Sequence, residues 1–167
     1  LICGFIHSDE QAYTQAKSFV EKRYGPADFE SPPIPFTFTR YYTPEMGENL
    51  TRRFASFPRL IPPEKLAPIK VWTNKLEEKL SVNKKRRVNI DPGFVDMAKL
   101  VLASAKDFRH RIYLRSGIFA EVTLFWQEKS FHAWDWTFPD YASPGYIAIF
   151  NAIREKYSPL FLISKIS

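Results

Sequence analysis

The chain has 167 residues, 45% of them apolar and 16% aromatic, with 24 basic against 18 acidic side chains for a formal charge of +6. This length supports one compact domain with its own core, and the composition excludes disordered and fibrous classes; no apolar run approaches the roughly 18 residues of a membrane span. A lone cysteine, Cys3, excludes a disulfide framework and CxxC chemistry, and Leu1–His7 has neither the basic lead nor the cleavage site of a signal peptide, so a cytoplasmic protein is expected.

Leu1 to Ile6 predicts a buried strand. Ser8 and Gln11 then stand as a capping box, Asp9 and Glu10 favour the positive end of a helix dipole, and Ala12, Ala16, Phe19 and Val20 make one apolar stripe that Gly25-Pro26 ends. After the proline-rich lead Ser31–Pro35, the alternation Phe36-Thr37-Phe38-Thr39 predicts a strand reaching Tyr42, followed by a polar loop from Pro44 to Asn49. Another short strand is expected within Phe54–Ile61. A helix follows from Pro63, with Leu66, Ile69, Trp72 or Thr73, Leu76 and Leu80 inward and Pro68 in its first turn.

Val88 to Asp91 alternates, sending Val88 and Ile90 one way and Asn89 and Asp91 the other, and Asp91-Pro92-Gly93 reads as a turn. The stretch from Phe94 to Ala105 fits strand or helix; the spacing of Met97, Leu100, Val101 and Ser104 favours helix. His110 to Trp126 predicts a hairpin. A three-residue loop Arg115-Ser116-Gly117 pairs Leu114 with Ile118, gathers Ile112, Leu114, Ile118, Ala120, Val122 and Leu124 on one face, and sets Arg111 opposite Glu121 and Tyr113 opposite Phe119 on the other. Phe131 to Phe138 continues as a further strand, and Ser143-Pro144 opens a last helix with Tyr146, Ile149, Phe150, Ile153 and Tyr157 inward.

No phosphate-loop, dinucleotide, nucleophile-elbow or zinc-protease motif is present, and six glycines leave little for backbone phosphate cradles. His7, His110 and His132 have no metal-ligand spacing; Asp91, Glu121 and Asp140 could be named as oxygen ligands for Mg²⁺, but so could any acidic trio. No motif designates a metal or a cofactor. The basic run Lys84, Lys85, Arg86, Arg87 supplies most of the net charge: without it the twenty remaining basic side chains exceed the 18 acidic ones by two. That concentration reads as a solvated loop, with an RNA- or ribonucleoprotein-binding patch as the alternative use.

The more coherent set is the polar face shared by two strands. Asn89 and Asp91 leave one, while Arg111 and Glu121 lie on the other with Phe119 and Phe125, aromatics that call for a covering helix or ligand. Asp91, Glu121 and His110 are the candidate catalytic groups; Arg111, Arg40, Asn89, Tyr41, Tyr42 and Asp140 are the candidate ligand-binding groups.

The segments SDEQA, PFTFTRYYTPEMG, FASFPRLI, RRVNIDPGF, KDFRHRIYL, GIFAEVTL and WTFPDY carry a resemblance. Over nearly all of residues 1–157 the chain resembles the uncharacterised prokaryotic family called domain of unknown function 4416. The resemblance implies a bacterial or archaeal intracellular protein and transfers no catalytic assignment; residues 158–167 form a tail beyond it. The expected fold is α+β (mixed α/β), a single domain with a mainly antiparallel mixed sheet of five to six strands packed by three to four helices. The expected function is binding, with turnover as an extension, of a small anionic or nucleotide-like metabolite. A basic RNA-associated module and a protein–protein interaction module using Phe131–Phe138 are the alternatives.

Overall fold

The structure is a computed structural model that describes residues 1–163, with side chains to Pro159. Nine strands form one sheet: β1 (Ile2–His7), β2 (Phe29–Glu30), β3 (Ile34–Pro35), β4 (Thr51–Ser56), β5 (Val88–Val95), β6 (Lys99–Ser104), β7 (Ile112–Arg115), β8 (Ile118–Gln127) and β9 (Ser130–Ala133). Their order is β2-β4-β1-β5-β6-β8-β7, with β3 beside β4 and β9 beside β8, and every pairing is antiparallel. The helices are α1 (Glu10–Tyr24), the single turn α2 (Thr43–Met46), α3 (Leu66–Lys79) and α4 (Pro144–Ile163). The α+β class thus stands, with more strands than expected and no parallel pair among the described residues. None of their helices is long and apolar enough to cross a membrane.

Strand alternation explains the layering. Cys3, Phe5, Ala55, Phe57, Val88 and Ile90 point to one face, where Ala12, Ala16 and Val20 of α1 and Ile69 and Leu76 of α3 bury them. Ile2, Phe54, Leu100, Leu102 and Leu124 point to the other, under Tyr146, Phe150, Ile153 and Tyr157 of α4. Each face carries several fully buried large side chains, worth about 1.5–3 kcal/mol apiece. The α1 cap lies one residue later than the capping box implied: the Asp9 side chain accepts from Ala12 N at 2.8 Å.

Several segments differ from expectation. Residues 94–105 are not helical; β5 and β6 make a hairpin whose turn is closed by Asp96 Oδ1, which accepts from Ala98 N and Lys99 N at 2.7 and 2.8 Å. Both sheet faces are covered there, so the strand is continuously apolar and mimics a helical stripe. Asp91-Pro92-Gly93 is strand rather than turn, pairing with Gly4, Cys3 and Ile2. Pro92 shares its strand edge with Ile90, where β6 has not begun to pair, so its missing N–H removes no ladder bond.

Phe36–Tyr42 leaves the sheet after Pro35, and Trp134–Phe138 leaves it after Ala133; in place of the expected polar loop, Thr43–Met46 forms α2. The β7–β8 loop is Ser116-Gly117 alone, with φ of 55° and 72°, as a type I′ turn requires. A bulge at Leu114 restores Tyr113 opposite Phe119 and Ile112 opposite Ala120, but leaves Ile112 and Leu114 exposed on the sheet edge instead of buried. Finally, Pro159 lies inside α4, which takes in the first part of the expected tail; 164–167 lie outside the described residues.

Candidate functional site

The sheet forks between β5 and β6. These strands pair only from Gly93 to Val95 against Leu100 to Leu102, and upstream they diverge. Ile90 therefore has no β6 partner, and α3 supplies one: Glu77 Oε1 accepts from Ile90 N at 2.8 Å while Lys70 Nζ donates to Ile90 O at 2.6 Å. Both side chains are buried, and an unpaired strand edge would otherwise cost free energy at each orphaned group.

A cavity of about 660 Å³ occupies the fork, within the usual range for small-molecule sites. Asn89 and Asp91 of β5 line one side, and Leu102 to Lys106 with Arg111 and Glu121 line the other; Lys70, Asn74, Glu77 and Glu78 of α3 contribute below. The two segments that left the sheet supply aromatic walls, Phe36, Phe38, Tyr41 and Tyr42 from the first and Phe138 and Tyr141 from the second. Among the lining residues five are Lys or Arg and five are Asp or Glu.

These charges fall into two networks that no hydrogen bond or ion pair joins among the described residues. In the first, Arg52 of β4 is only 3% exposed and bridges two carboxylates, Nη1 donating to Asp91 Oδ2 at 3.3 Å and Nη2 to Asp140 Oδ2 at 3.2 Å. Asp91 also takes Asn89 Nδ2 at 3.0 Å and lies 3.5 Å from Lys70 Nζ. Arg86 joins this network from above, bonding both oxygens of Glu45 on α2, Glu77 Oε2 and Asn89 Oδ1. In the second network Arg111 Nε donates to Glu121 Oε2 at 2.8 Å, and its Nη1 reaches Ser104 Oγ and Lys106 O. Lys106 Nζ has no carboxylate partner among the described residues and sits 3.8 Å from the centre of the Tyr41 ring.

Burial and charge push the carboxyls apart. Burial works to raise Asp91, yet the Lys70 and Arg52 charges and the Asn89 bond outweigh it and hold Asp91 below its ordinary range. Burial wins at Asp140, raised despite Arg52, and at Glu77, raised despite Lys70. The Lys106 ammonium, by contact and by charge, lowers the Tyr41 phenol. Around the Arg52 guanidinium three buried side-chain atoms, Arg52 Nε, Tyr141 Oη and Tyr146 Oη, have no hydrogen-bond partner among the described residues.

Of the residues singled out in the sequence, Asn89, Asp91, Arg111, Glu121, Tyr41, Tyr42 and Asp140 all line the one cavity. Arg40 is exposed and does not. His110 lies behind Glu121, with Nε2 2.9 Å from Oε2, and its ring stacks on Trp136 rather than facing the cavity. Glu121 is 2% exposed, with Oε2 engaged by His110 and Arg111 and Oε1 by Thr123 at 3.2 Å, so it orients Arg111.

The basic run is divided. Arg87 bonds Asp9 at the start of α1 and Arg86 ties α2 to α3, while Lys84 and Lys85 sit exposed in a tight turn. Among the described residues no group of three or more His, Cys, Asp or Glu could hold a metal ion. Sequence reasoning missed Arg52, Lys70, Glu77 and Lys106. Lys70, Thr73 and Glu77 interrupt the buried stripe of α3 at helical spacing, and that polar seam was the available signal.

Fold and cavity together define a three-layer α+β domain with a charged cleft where its central sheet opens. The chain belongs to the family described as domain of unknown function (DUF4416), whose family model matches residues 1–157 and so takes in every cavity residue. No curated protein and no solved structure matches it.

Proposed function

We propose that the fork cavity binds a small anionic metabolite, phosphorylated or nucleotide-like, in the cell interior. The observation that carries this reading is that Asp91 and Arg111, from separate strands, line the same 660 Å³ cavity with aromatic walls. Most cations there are already neutralised by carboxylates; the surplus falls at Lys106 and at Arg111 Nη2, which makes no hydrogen bond among the described residues. An anionic group fits between them beside Ser104 Oγ and the Tyr41 phenol, while an apolar or planar body lies against Phe36, Phe38 and Phe138. In a turnover version Asp91 is the base, since its side chain is part exposed to the cavity, whereas Glu121 is buried and serves Arg111 together with His110.

Thermal-shift screening against nucleotides and phosphorylated metabolites tests the reading. A ligand at a hundred times its Kd adds about 2.7 kcal/mol, a shift of roughly 5–10 °C for a chain of this size. The shift is expected to vanish in Lys106→Ala and Arg111→Ala. No stabilisation by any compound of the panel would overturn the proposal.

The RNA reading loses support because Arg86 and Arg87 are committed to ion pairs. A specific observation favours the interaction reading instead: Phe108, His110, Trp136, Trp134, Phe125 and His132 form a continuous contact ladder, neighbouring ring centres 4.3–5.6 Å apart, with both tryptophans 38% exposed. Self-association through that ladder predicts a concentration-dependent mass in solution; a monomer at all concentrations would remove it.

A further inference from the structure

We infer that the metabolite bound in the fork cavity carries a cationic amine as well as its anionic group. This rests on the reading above that the cavity takes an anionic metabolite, and it adds a second recognition element.

The argument is one of charge placement. The network around Lys106 contains two cations, Lys106 and Arg111, and one carboxylate, Glu121, so it has one positive charge to spare. Around Arg52 the cavity is lined by three cations, Arg52, Lys70 and Arg86, and by four carboxylates, Asp91, Asp140, Glu77 and the exposed Glu78, so this side has one negative charge to spare; Glu45, which bonds Arg86, lies outside the lining. The two networks face one cavity and are not bonded to each other. A surplus carboxylate in a partly dry site is costly unless it is paired, and burial already raises the pKa of Asp140 and of Glu77 against the pull of Arg52 and Lys70.

A ligand ammonium near Asp91 supplies the missing cation, and its phosphate or carboxylate supplies the missing anion at Lys106 and Arg111. A purely anionic ligand meets only half of this pattern. Hydroxyl groups would bond Asp91 without neutralising anything, so the charge count selects an amine over a polyol. Phe36, Phe38 and Phe138 in the walls lower the local dielectric beside both pairs, which strengthens them.

The test compares an aminoalkyl phosphate with the alkyl phosphate of equal length by isothermal titration calorimetry on the wild-type protein. The amine-bearing compound is expected to bind at least ~10-fold more tightly, the discrimination a charge-assisted contact commonly provides. Asp91→Asn should cut that advantage to about 2-fold, read as the ratio of the two affinities within the same variant, and Asp140→Asn, checked for folding by circular dichroism, should reduce it in the same direction. Equal binding of the two phosphates to the wild type overturns this inference and leaves the anion site standing. Binding of neither overturns the anion site as well.

Discussion

Replacing Arg52 by methionine isolates the interaction on which the cavity wall depends. The guanidinium is almost fully buried, with carboxylate oxygens at 3.3 and 3.2 Å and the rings of Phe36, Phe54 and Tyr141 within 5.6 Å of its centre. Methionine keeps much of the volume, so the loss is electrostatic rather than a cavity term. Asp91 retains Lys70 and Asn89, but among the described residues Asp140 is left with only the Tyr141 N–H. Removing one partner of a buried pair costs about 3–5 kcal/mol, equivalent to roughly 6–20 °C in Tm for this length.

The sign with pH follows from Asp140. Its carboxyl is already raised in the folded protein by burial, and losing Arg52 raises it further, so the folded variant prefers the protonated form. Such a group costs little below its unfolded pKa and progressively more as pH climbs through the folded value. Urea denaturation followed by tryptophan fluorescence should therefore show a smaller deficit for Arg52→Met at pH 5 than at pH 7, and Arg52→Met/Asp140→Asn should recover part of the deficit at pH 7. A loss below about 1 kcal/mol, or a double variant no more stable than the single, would refute this account of the wall.

Gly93→Ala should be severely destabilised, because its Cβ would lie 2.4 Å from Val101 O, a backbone atom; soluble yield and urea midpoint report it, with a loss of at least about 3 kcal/mol expected. Tyr141→Phe removes a buried hydroxyl that has no partner among the described residues, so its stability, read from the urea midpoint, should be unchanged or higher by up to about 1 kcal/mol. Glu45→Gln weakens the clamp from Arg86 onto α2; the exposed side of this pair limits the global cost to below about 1 kcal/mol, but amide exchange in residues 41–47 should quicken.

What the sequence disclosed was set by local chemistry. The Asp9 region, Gly25 and Ser143-Pro144 mark helix ends through short-range bonds, and α1 and α4 lie where those signals put them, while α3 follows the apolar spacing after Pro63 and begins at Leu66. The alternation of Asn89 and Asp91, and of Arg111 and Glu121, was enough to bring both pairs onto cavity-facing surfaces. Arg52, Lys70 and Glu77 escaped notice because these partners are 13 to 88 residues away on other elements, and a charged residue in an apolar stripe signals a partner without naming it. Residues 94–105 misled because coverage of both sheet faces erases the two-residue period. The Phe36–Tyr42 alternation misled because the neighbouring strand that would have extended the ladder begins only at Thr51, where Pro35 already pairs.

The most direct test of the central claim is a backbone amide NMR titration with the best anionic compound from the thermal-shift panel. Shifts concentrated in residues 36–42, 102–106 and 138–141, the walls of the fork, are predicted. Shifts confined to the Val82–Lys85 turn or to the Phe125–Trp136 ladder, with the fork unmoved, would contradict it.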